Sequence, residues 1–208
     1  MKKNIIITGG LGYIGTELCK IYSGISWNNK ITVIDNRFIS ERVNQLRNWN
    51  INFVHGDILD KELINKYCKD ADIIHHLAGI TDVPRVKSES SSDHDKKIKL
   101  VAEEGTQNLL DAINDKCKII MPSTHVVYEG IQKVKNDILE NEETEPVLSY
   151  GKSKDINEKQ LKTSGKNYVI LRLGSVYGYS TDTARIDIMA NFFSKMASQD
   201  GALKLFAG

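Results

Sequence analysis

The sequence has little cysteine and proline, almost no net charge and no long apolar run. Its 208 residues include 3 Cys and 3 Pro, and 28 Lys and Arg are balanced by 27 Asp and Glu. Since no basic excess or basic run is present, we expect no nucleic-acid partner. Three cysteines without metal-ligand spacing are typical of buried, reduced thiols, and we predict a cytoplasmic protein.

The absence of a long apolar run also bears on membranes. The run after the N-terminal lysines covers only Ile5–Ile7, which is too short for a signal peptide or a transmembrane span. We therefore expect no membrane association. With 40% hydrophobic and 26% charged residues, the composition is typical of globular proteins. The length fits one large α/β domain, or one domain plus part of a second.

Short β-branched runs alternate with longer segments of helical periodicity. Six strands are predicted, at Ile5–Thr8, Ile31–Ile34, Asn52–His55, Ala71–His76, Lys118–Met121 and Tyr168–Leu173. Six helices are predicted, at Tyr13–Tyr22, Ser40–Asn48, Lys61–Cys68, Asp93–Asn114, Ser149–Gly165 and Asp182–Ser198. This alternation predicts an α/β fold, a doubly wound parallel sheet with helices on both faces.

Three further segments carry expectations. Thr81–Asp95 and Lys133–Pro146 are polar and are predicted to be surface connections. In the last predicted helix, apolar residues recur along one face, which favours packing against a core or as a lid. These residues are Ile186, Met189, Phe193 and Met196.

A glycine-rich loop joins the first strand to the first helix. The segment Thr8–Gly15 reads TGGLGYIG. Gly9 permits a tight turn, Gly12 lets a pyrophosphate approach the backbone, and Gly15 lets the helix pack closely on the sheet. The helix N-terminus then offers unpaired N–H groups to the anion. The loop therefore predicts a dinucleotide site in a Rossmann-like sheet.

An acidic residue ends the second strand. Asp35 follows Gly15 by 20 residues, the position at which an acid binds the adenosine ribose hydroxyls. Such an acid repels a 2′-phosphate, so the sequence favours NAD over NADP. Arg37, two residues further, is the one residue here that favours NADP.

A tyrosine and a lysine four residues apart open the fifth predicted helix. Tyr150 and Lys154 would lie on one helix face, where the ammonium lowers the pKa of the phenol toward the range that a general base needs. Thr124 lies at the carboxyl end of the preceding strand. Active sites of parallel sheets collect at these ends, so Thr124 and the pair are expected to converge. The alternative for Thr124 is a strand-end cap.

Together these residues resemble the extended short-chain dehydrogenases/reductases, the NAD-dependent nucleotide-sugar epimerases and dehydratases. The resemblance runs from Ile5 to about Gly178. Its motifs are, in chain order, Thr8–Gly15, Gly56–Ile58, His76–Ala78, Gly105–Thr106, Ser123–Tyr128, Tyr150–Lys154 and Leu171–Gly178. It implies an NAD-binding Rossmann domain at 1–178. It also implies that 179–208 begins a small substrate-binding region that is truncated or only partly present.

The resemblance also implies roles for individual residues. Tyr150 would be the catalytic acid/base, Lys154 would bind the nicotinamide ribose, and Thr124 would hydrogen-bond the reacting sugar oxygen. Residues implied to contact NAD are Gly9, Gly12, Tyr13, Ile14, Gly15, Asp35, Asp57, Ile58, Leu77, Ala78, Gly79, Tyr150 and Lys154. Residues expected near the substrate are His125, Gly174, Ser175 and Val176.

Several positions depart from the family pattern. Its 4,6-dehydratases carry an Asp-Glu pair after the threonine, whereas this chain has His125 and Val126, which favours an epimerase or a reductase. Ala102 replaces an Asn that is usual in the long helix, and Glu129 interrupts the usual Val-Tyr-Gly.

The expected function is an NAD-dependent oxidoreductase or epimerase that acts on a nucleotide-sugar hydroxyl through a keto intermediate. The alternative is a non-catalytic NAD-binding regulatory or sensor protein. His75, His76 and His125 lack acidic or cysteine partners at ligand spacing, so no metal site is expected. The resemblance further implies a homodimer through a helix bundle.

Overall fold

The sheet orders the whole fold. The computed structural model describes residues 2–25, 28–81, 91–180, 185–186 and 188–203. Its strands are β1 (Asn4–Thr8), β2 (Lys30–Asp35), β3 (Asn52–His55), β4 (Ile73–His76), β5 (Lys118–Thr124) and β6 (Asn167–Leu173). Within these ranges they form one parallel sheet with the order β3-β2-β1-β4-β5-β6. The predicted doubly wound parallel sheet is confirmed.

The helices match the predicted ones apart from their ends. They are α1 (Tyr13–Ile25), α2 (Ser40–Asn48), α3 (Lys61–Cys68), α4 (Ser92–Ala112), α5 (Ser149–Thr163) and α6 (Met189–Ser198). α5 ends before Gly165, whose left-handed φ of 70° is typical of the residue after a helix. Within the described ranges, no helix is both long and apolar enough to cross a bilayer.

Alternation along β1 explains why helices cover both faces. Ile5 and Ile7 are buried in a cluster with Cys19 of α1 and Leu46 of α2. Ile6 points to the opposite face, because successive strand residues alternate. It belongs to a second cluster, whose helical members include Ile64, Leu109 and Leu161 of α3, α4 and α5. Burial of both faces explains why the strands are continuous apolar runs.

The three cysteines lie in these two cores. All three are buried and unpaired, as predicted. Burial raises the pKa of Cys19 to about 12, and burial together with the neighbouring Cys117 raises the pKa of Cys68 to about 12. At neutral pH these thiols are therefore protonated and act as apolar core side chains.

The expectations for the surface segments have different outcomes. Residues 133–146 contain no helix or strand and are mostly exposed, as expected for a surface connection. Most of the Thr81–Asp95 connection lies outside the described residues, and Asp93 to Asp95 belong to α4, which Ser91 caps.

The helix predicted at Asp182–Ser198, which was expected to pack against a core or as a lid, starts later in the structure and is not buried in the core. Residues 182–184 lie outside the described residues, and α6 begins only at Met189, after Ile188 with extended backbone. None of the residues of α6 is buried, and Met189 is 69% exposed.

Candidate functional site

The carboxyl ends of the strands converge on one cleft of about 1060 Å³. The register sets the ends of β1, β2 and β4 side by side, because Thr8 pairs with both Ile34 and His76. All residues predicted to contact cofactor or substrate line this cleft, although their individual roles stay predictions. They are Gly9, Gly12, Tyr13, Ile14, Gly15, Asp35, Asp57, Ile58, Leu77, Ala78, Gly79, Thr124, His125, Tyr150, Lys154, Gly174, Ser175 and Val176.

The glycine loop has no space for side chains at two positions. Gly9 has a left-handed φ of 70°, and a Cβ there would lie 2.7 Å from the Ala78 nitrogen. A Cβ on Gly15 would lie 2.6 Å from the Gly10 Cα. Both contacts are with backbone, which cannot move aside, so the close approach of loop, helix and β4 requires glycine.

The N-terminus of α1 faces the same cleft. The amide of Thr16 donates to the Gly12 carbonyl at 2.9 Å, so the preceding amides of Tyr13, Ile14 and Gly15 lie in the unpaired first turn. In contrast to α2, α3 and α4, this turn carries no acidic side chain. These amides and the positive end of the helix dipole suit a phosphate group. The glycine geometry and the helix end together fit a dinucleotide.

Tyr13 ties this loop to the segment after β6. Its hydroxyl donates to the Gly178 carbonyl, and the Asn191 Oδ1 accepts from the Gly178 amide at 3.0 Å. The Asn191 amide group also donates to the Tyr13 hydroxyl at 3.3 Å. Tyr13 therefore holds the exit of β6 over the cleft as well as lining it.

Two carboxylates lie at the ends of β2 and β3. Asp35 is 5% exposed and accepts from the Leu11 amide at 3.0 Å and from Arg37. Asp57 accepts from the Asn36 side chain at 2.8 Å and from the Leu59 amide at 3.0 Å. Both side chains are thus fixed in the half of the cleft where the resemblance implies adenosine.

Thr124 lies where β5 extends beyond β4. The last β4–β5 pair is His75–Ile120, and from Met121 onward β5 pairs only with β6, which explains how the strand tolerates Pro122. The Thr124 hydroxyl caps the 3-10 helix His125–Tyr128 by accepting from the Val126 amide at 3.3 Å. Thr124 is therefore a cap at the end of its strand, which was the alternative interpretation. Because its hydroxyl accepts this bond, the hydroxyl proton can still be donated to a group in the cleft.

Lys154 and Tyr150 project from α5 into the cleft. Lys154 is 7% exposed, and this burial lowers its pKa to about 8. Burial raises the pKa of Tyr150, while the positive charge of Arg185 acts in the lowering direction. The prediction that Lys154 lowers the pKa of Tyr150 is therefore wrong for this structure. The sequence indicates the helical spacing but not the loss of solvent, which dominates here.

A change of Lys154 to Met is expected to alter the pH dependence of folding. The folded pKa of about 8 lies below the ordinary value of 10.5, so between these values the unfolded chain binds more protons and stability rises with pH. Lys154→Met should be more stable than the wild type at pH 8. This difference in the free energy of unfolding should be smaller by about 2 kcal/mol at pH 10, since one pKa unit corresponds to about 1.4 kcal/mol. Urea unfolding at both pH values measures this difference.

Lys152→Met is the matched control, because Lys152 is an exposed lysine on the same helix. Its stability difference from the wild type should stay constant across this range. A constant difference for Lys154→Met as well would contradict the buried, depressed lysine.

Comparison with known proteins agrees with this geometry. The sequence model of the NAD dependent epimerase/dehydratase family matches residues 5–207. The chain belongs to this family. The family assignment confirms the resemblance seen in the motifs, and the parallel sheet with its helices is the fold of its structural neighbours.

Three family members illustrate the similarity. A putative UDP-glucose 4-epimerase of Methanocaldococcus jannaschii is 30% identical over 201 residues, 92% of this chain and 62% of that protein. A dTDP-D-glucose 4,6-dehydratase of Dictyostelium discoideum is 30% identical over 197 residues, 85% of this chain and 44% of that protein. The crystal structure of a Bacillus cereus UDP-glucuronic acid 4-epimerase in complex with NAD aligns with a TM-score of 0.78 and 27% identity.

The chain is shorter than these family members. The alignment with the Bacillus cereus structure covers 98% of this chain and 65% of that one. The chain therefore spans about two thirds of that structure and 62% of the archaeal relative.

An ion pair next to the cleft was not predicted from the sequence. Glu158 is completely buried, and its Oε2 lies 2.6 Å from the Arg172 Nη2. Its Oε1 accepts from the Ser123 hydroxyl at 2.6 Å, and Ser123 precedes Thr124. Burial raises the pKa of Glu158, but hydrogen bonds from Arg172, Ser123 and Lys162 outweigh it and lower the pKa to about 2.

A second buried contact bears on the departure at Ala102. The Asn157 side chain donates to the Ala102 carbonyl and to the Thr106 hydroxyl, both at 2.8 Å. The Thr106 hydroxyl also lies 3.0 Å from the His76 Nε2, and the His76 Nδ1 lies 2.9 Å from the Thr8 hydroxyl. An amide from α5 therefore bridges to α4 at the position where the family usually has Asn.

The remaining cleft residues include cations that the motifs do not indicate. Arg42 of α2 and Arg185 after β6 both line the cleft. His125 is exposed, and its Nδ1 lies 3.3 Å from the Leu173 carbonyl. Arg185 lies outside every motif that carries the resemblance, so no signal in the sequence marks it.

Proposed function

We propose that this chain binds NAD and catalyses the reversible oxidation of a hydroxyl on a nucleotide sugar, with epimerisation as the favoured outcome. The observation that carries the proposal is the convergence of Thr124, Tyr150 and Lys154 in the cleft that the glycine loop opens. The loop and the α1 terminus fit a pyrophosphate, and Asp35 and Asp57 fix the adenosine end. The proton-transfer residues then lie at the opposite end, at β5 and α5.

The roles of these residues follow from their chemistry. Bound NAD supplies a hydride acceptor. Tyr150 takes the proton of the sugar hydroxyl as the C–H hydride leaves and the C=O bond forms, and Thr124 donates a hydrogen bond to the same oxygen. In the reverse step Tyr150 returns the proton, and hydride return to the other face of the ketone gives the epimer without net oxidation.

Arg185 supports this use of the phenol, because its positive charge favours the phenolate of Tyr150. Burial, the larger effect, raises the pKa of Tyr150 and keeps the phenol protonated, and the positive charge of Arg185 acts in the opposite direction. A cation bound beside the phenol would act in the same sense as Arg185, because it favours the phenolate. Such a cation would therefore promote proton abstraction by Tyr150.

The residues after Thr124 favour an epimerase or a reductase over a 4,6-dehydratase. His125 and Val126 line the cleft where the resemblance associates dehydration with an Asp-Glu pair. The carboxylate of Glu129, one turn later, also lines it. Since epimerases and a dehydratase are both among the relatives, this preference rests on the residues alone.

A second candidate is an NAD-binding regulatory or sensor protein without turnover. The departures from the family pattern at Ala102 and Glu129 support it. Three further expectations from the sequence stay predictions. They are a homodimer through α4 and α5, a cytoplasmic location and a domain boundary at residue 178.

The deciding experiment incubates the 208-residue chain with NAD and UDP-glucose, UDP-glucuronic acid or dTDP-glucose in turn. Chromatography and mass spectrometry of the products, with absorbance at 340 nm, distinguish the outcomes. We expect an epimer of unchanged mass without lasting NADH. Loss of one water from the sugar would indicate a dehydratase instead.

Calorimetric titration with NAD accompanies this assay. Binding without conversion of any sugar would favour the second candidate. The absence of binding would contradict both candidates.

A further inference from the structure

We propose that Arg37 makes the adenosine end of the cleft accept a 2′-phosphate, so that this chain binds NADP as well as NAD. The inference rests on the proposed function only in requiring that a dinucleotide fills the cleft. It goes beyond it in assigning a second cofactor and a specificity-determining residue.

The contacts of Asp35 carry the inference. Its Oδ1 accepts from the Arg37 amide at 3.0 Å and from the Arg37 Nε at 3.2 Å. Its Oδ2 accepts from the Leu11 amide at 3.0 Å and from the Arg37 Nη2 at 3.3 Å. An acid at this position selects NAD by binding the ribose hydroxyls and repelling a phosphate. Here both oxygens of Asp35 already accept hydrogen bonds, and the Arg37 guanidinium in contact with them compensates the negative charge of the carboxylate.

The Arg37 guanidinium also reaches the mouth of the cleft. Its side chain is 52% exposed, and its Nη2 lies 3.7 Å from the place of a Cβ on Gly12. A guanidinium has five N–H groups, and only two of them contact Asp35. The others can donate to phosphate oxygens in the paired geometry that arginine favours.

The neighbouring charges support an anion at this point. Arg42 of α2 lines the same cleft and donates to the Leu11 carbonyl. The nearby acids that line the cleft are Asp35, compensated by Arg37, and Asp57, which Asn36 and Leu59 hold by hydrogen bonds. Two guanidinium groups therefore accompany the carboxylate that would otherwise exclude the phosphate.

Calorimetric titration of the full chain tests the inference without any substrate. NAD and NADP are the ligands, and 5′-AMP and 2′,5′-ADP isolate the adenosine end. We expect wild-type dissociation constants for NAD and NADP within about tenfold of each other, since a charge-assisted arginine–phosphate contact replaces the usual repulsion. Added salt should weaken NADP more than NAD, because the extra contact is ionic.

The decisive variant is Arg37→Gln. It should weaken NADP and 2′,5′-ADP by about tenfold or more and change NAD by less than about threefold. Arg47→Gln is the matched control, because Arg47 is an exposed arginine of α2 that does not line the cleft. It should leave all four affinities unchanged.

Two results would overturn the inference while leaving NAD binding intact. One is wild-type NADP binding more than about 100-fold weaker than that of NAD, a gap of about 2.7 kcal/mol. The other is an unchanged ratio of NADP to NAD affinity in Arg37→Gln. If neither dinucleotide binds, the proposed function fails together with this inference.

Discussion

Tyr150→Phe is expected to lower kcat for the nucleotide sugar by about 10²- to 10⁴-fold, the usual contribution of a positioned acid or base. The ring and its packing on α5 remain, so only the proton carrier is lost. NAD affinity should change by less than about threefold, because the predicted cofactor contacts lie mainly in the glycine loop and at the strand ends. Steady-state kinetics and calorimetric titration measure the two effects separately.

Tyr168→Phe is the control for this variant. It removes the same hydroxyl from β6, at a residue that is 37% exposed and does not line the cleft. Its kcat should match the wild type. Retention of more than about one tenth of wild-type kcat by Tyr150→Phe would show that the proton moves by another route.

Glu158→Gln is expected to destabilise the fold by about 3 kcal/mol, since breaking a buried ion pair leaves an uncompensated charge. Arg172, whose side chain is only 13% exposed, would keep its charge beside a neutral amide. For a chain of this length, the corresponding fall in Tm is about 6 to 12 °C. Thermal and urea unfolding of the unliganded chain measure it.

The pH dependence offers an independent test of the same pair. The pKa of Glu158 is lowered to about 2, below the ordinary 4.5, so its contribution is present above 4.5 and is lost as the pH falls toward 2. The wild type should therefore lose its advantage over Glu158→Gln across this acid range.

Glu103→Gln is the matched control for Glu158→Gln. It removes the charge of a carboxylate that is 42% exposed and lies 3.7 Å from Lys99, a surface pair of small energetic effect. An equal loss of unfolding free energy in Glu158→Gln and Glu103→Gln would contradict a stabilising role for the buried Glu158–Arg172 pair. In the double variant Glu158→Gln with Arg172→Met, the loss should be smaller than the sum of the single losses, which identifies direct coupling.

The sheet could be predicted because its signals are local. The β-branched runs at Ile5–Thr8 and Ile31–Ile34 and the glycines after the first run report backbone preferences within a few residues. Strand alternation with helices then restricts the topology, and the carboxyl edge follows from the topology. For this reason the residues expected at the site line one cleft even though their roles stay untested.

The features that could not be predicted depend on distant packing. Glu158 meets Arg172 only because α5 lies across β5 and β6, and no local pattern reports that placement. The direction of the Tyr150 pKa depends on the solvent lost at α5 and on Arg185, which comes from a segment without a motif. α6 shows the opposite error, since amphipathic spacing indicates an apolar face without indicating what covers it.

The two cores differ in how much of the chain they require. The buried members of the cluster under α1 and α2 all lie between Ile5 and Ile51. The opposite cluster draws on residues as distant as Ile6 and Leu161. Chains emerge from the ribosome N-terminus first, so the side chains of the first cluster are all present when only a quarter of the sequence has been synthesised. One face of the sheet can therefore collapse during translation, while the other waits for α5.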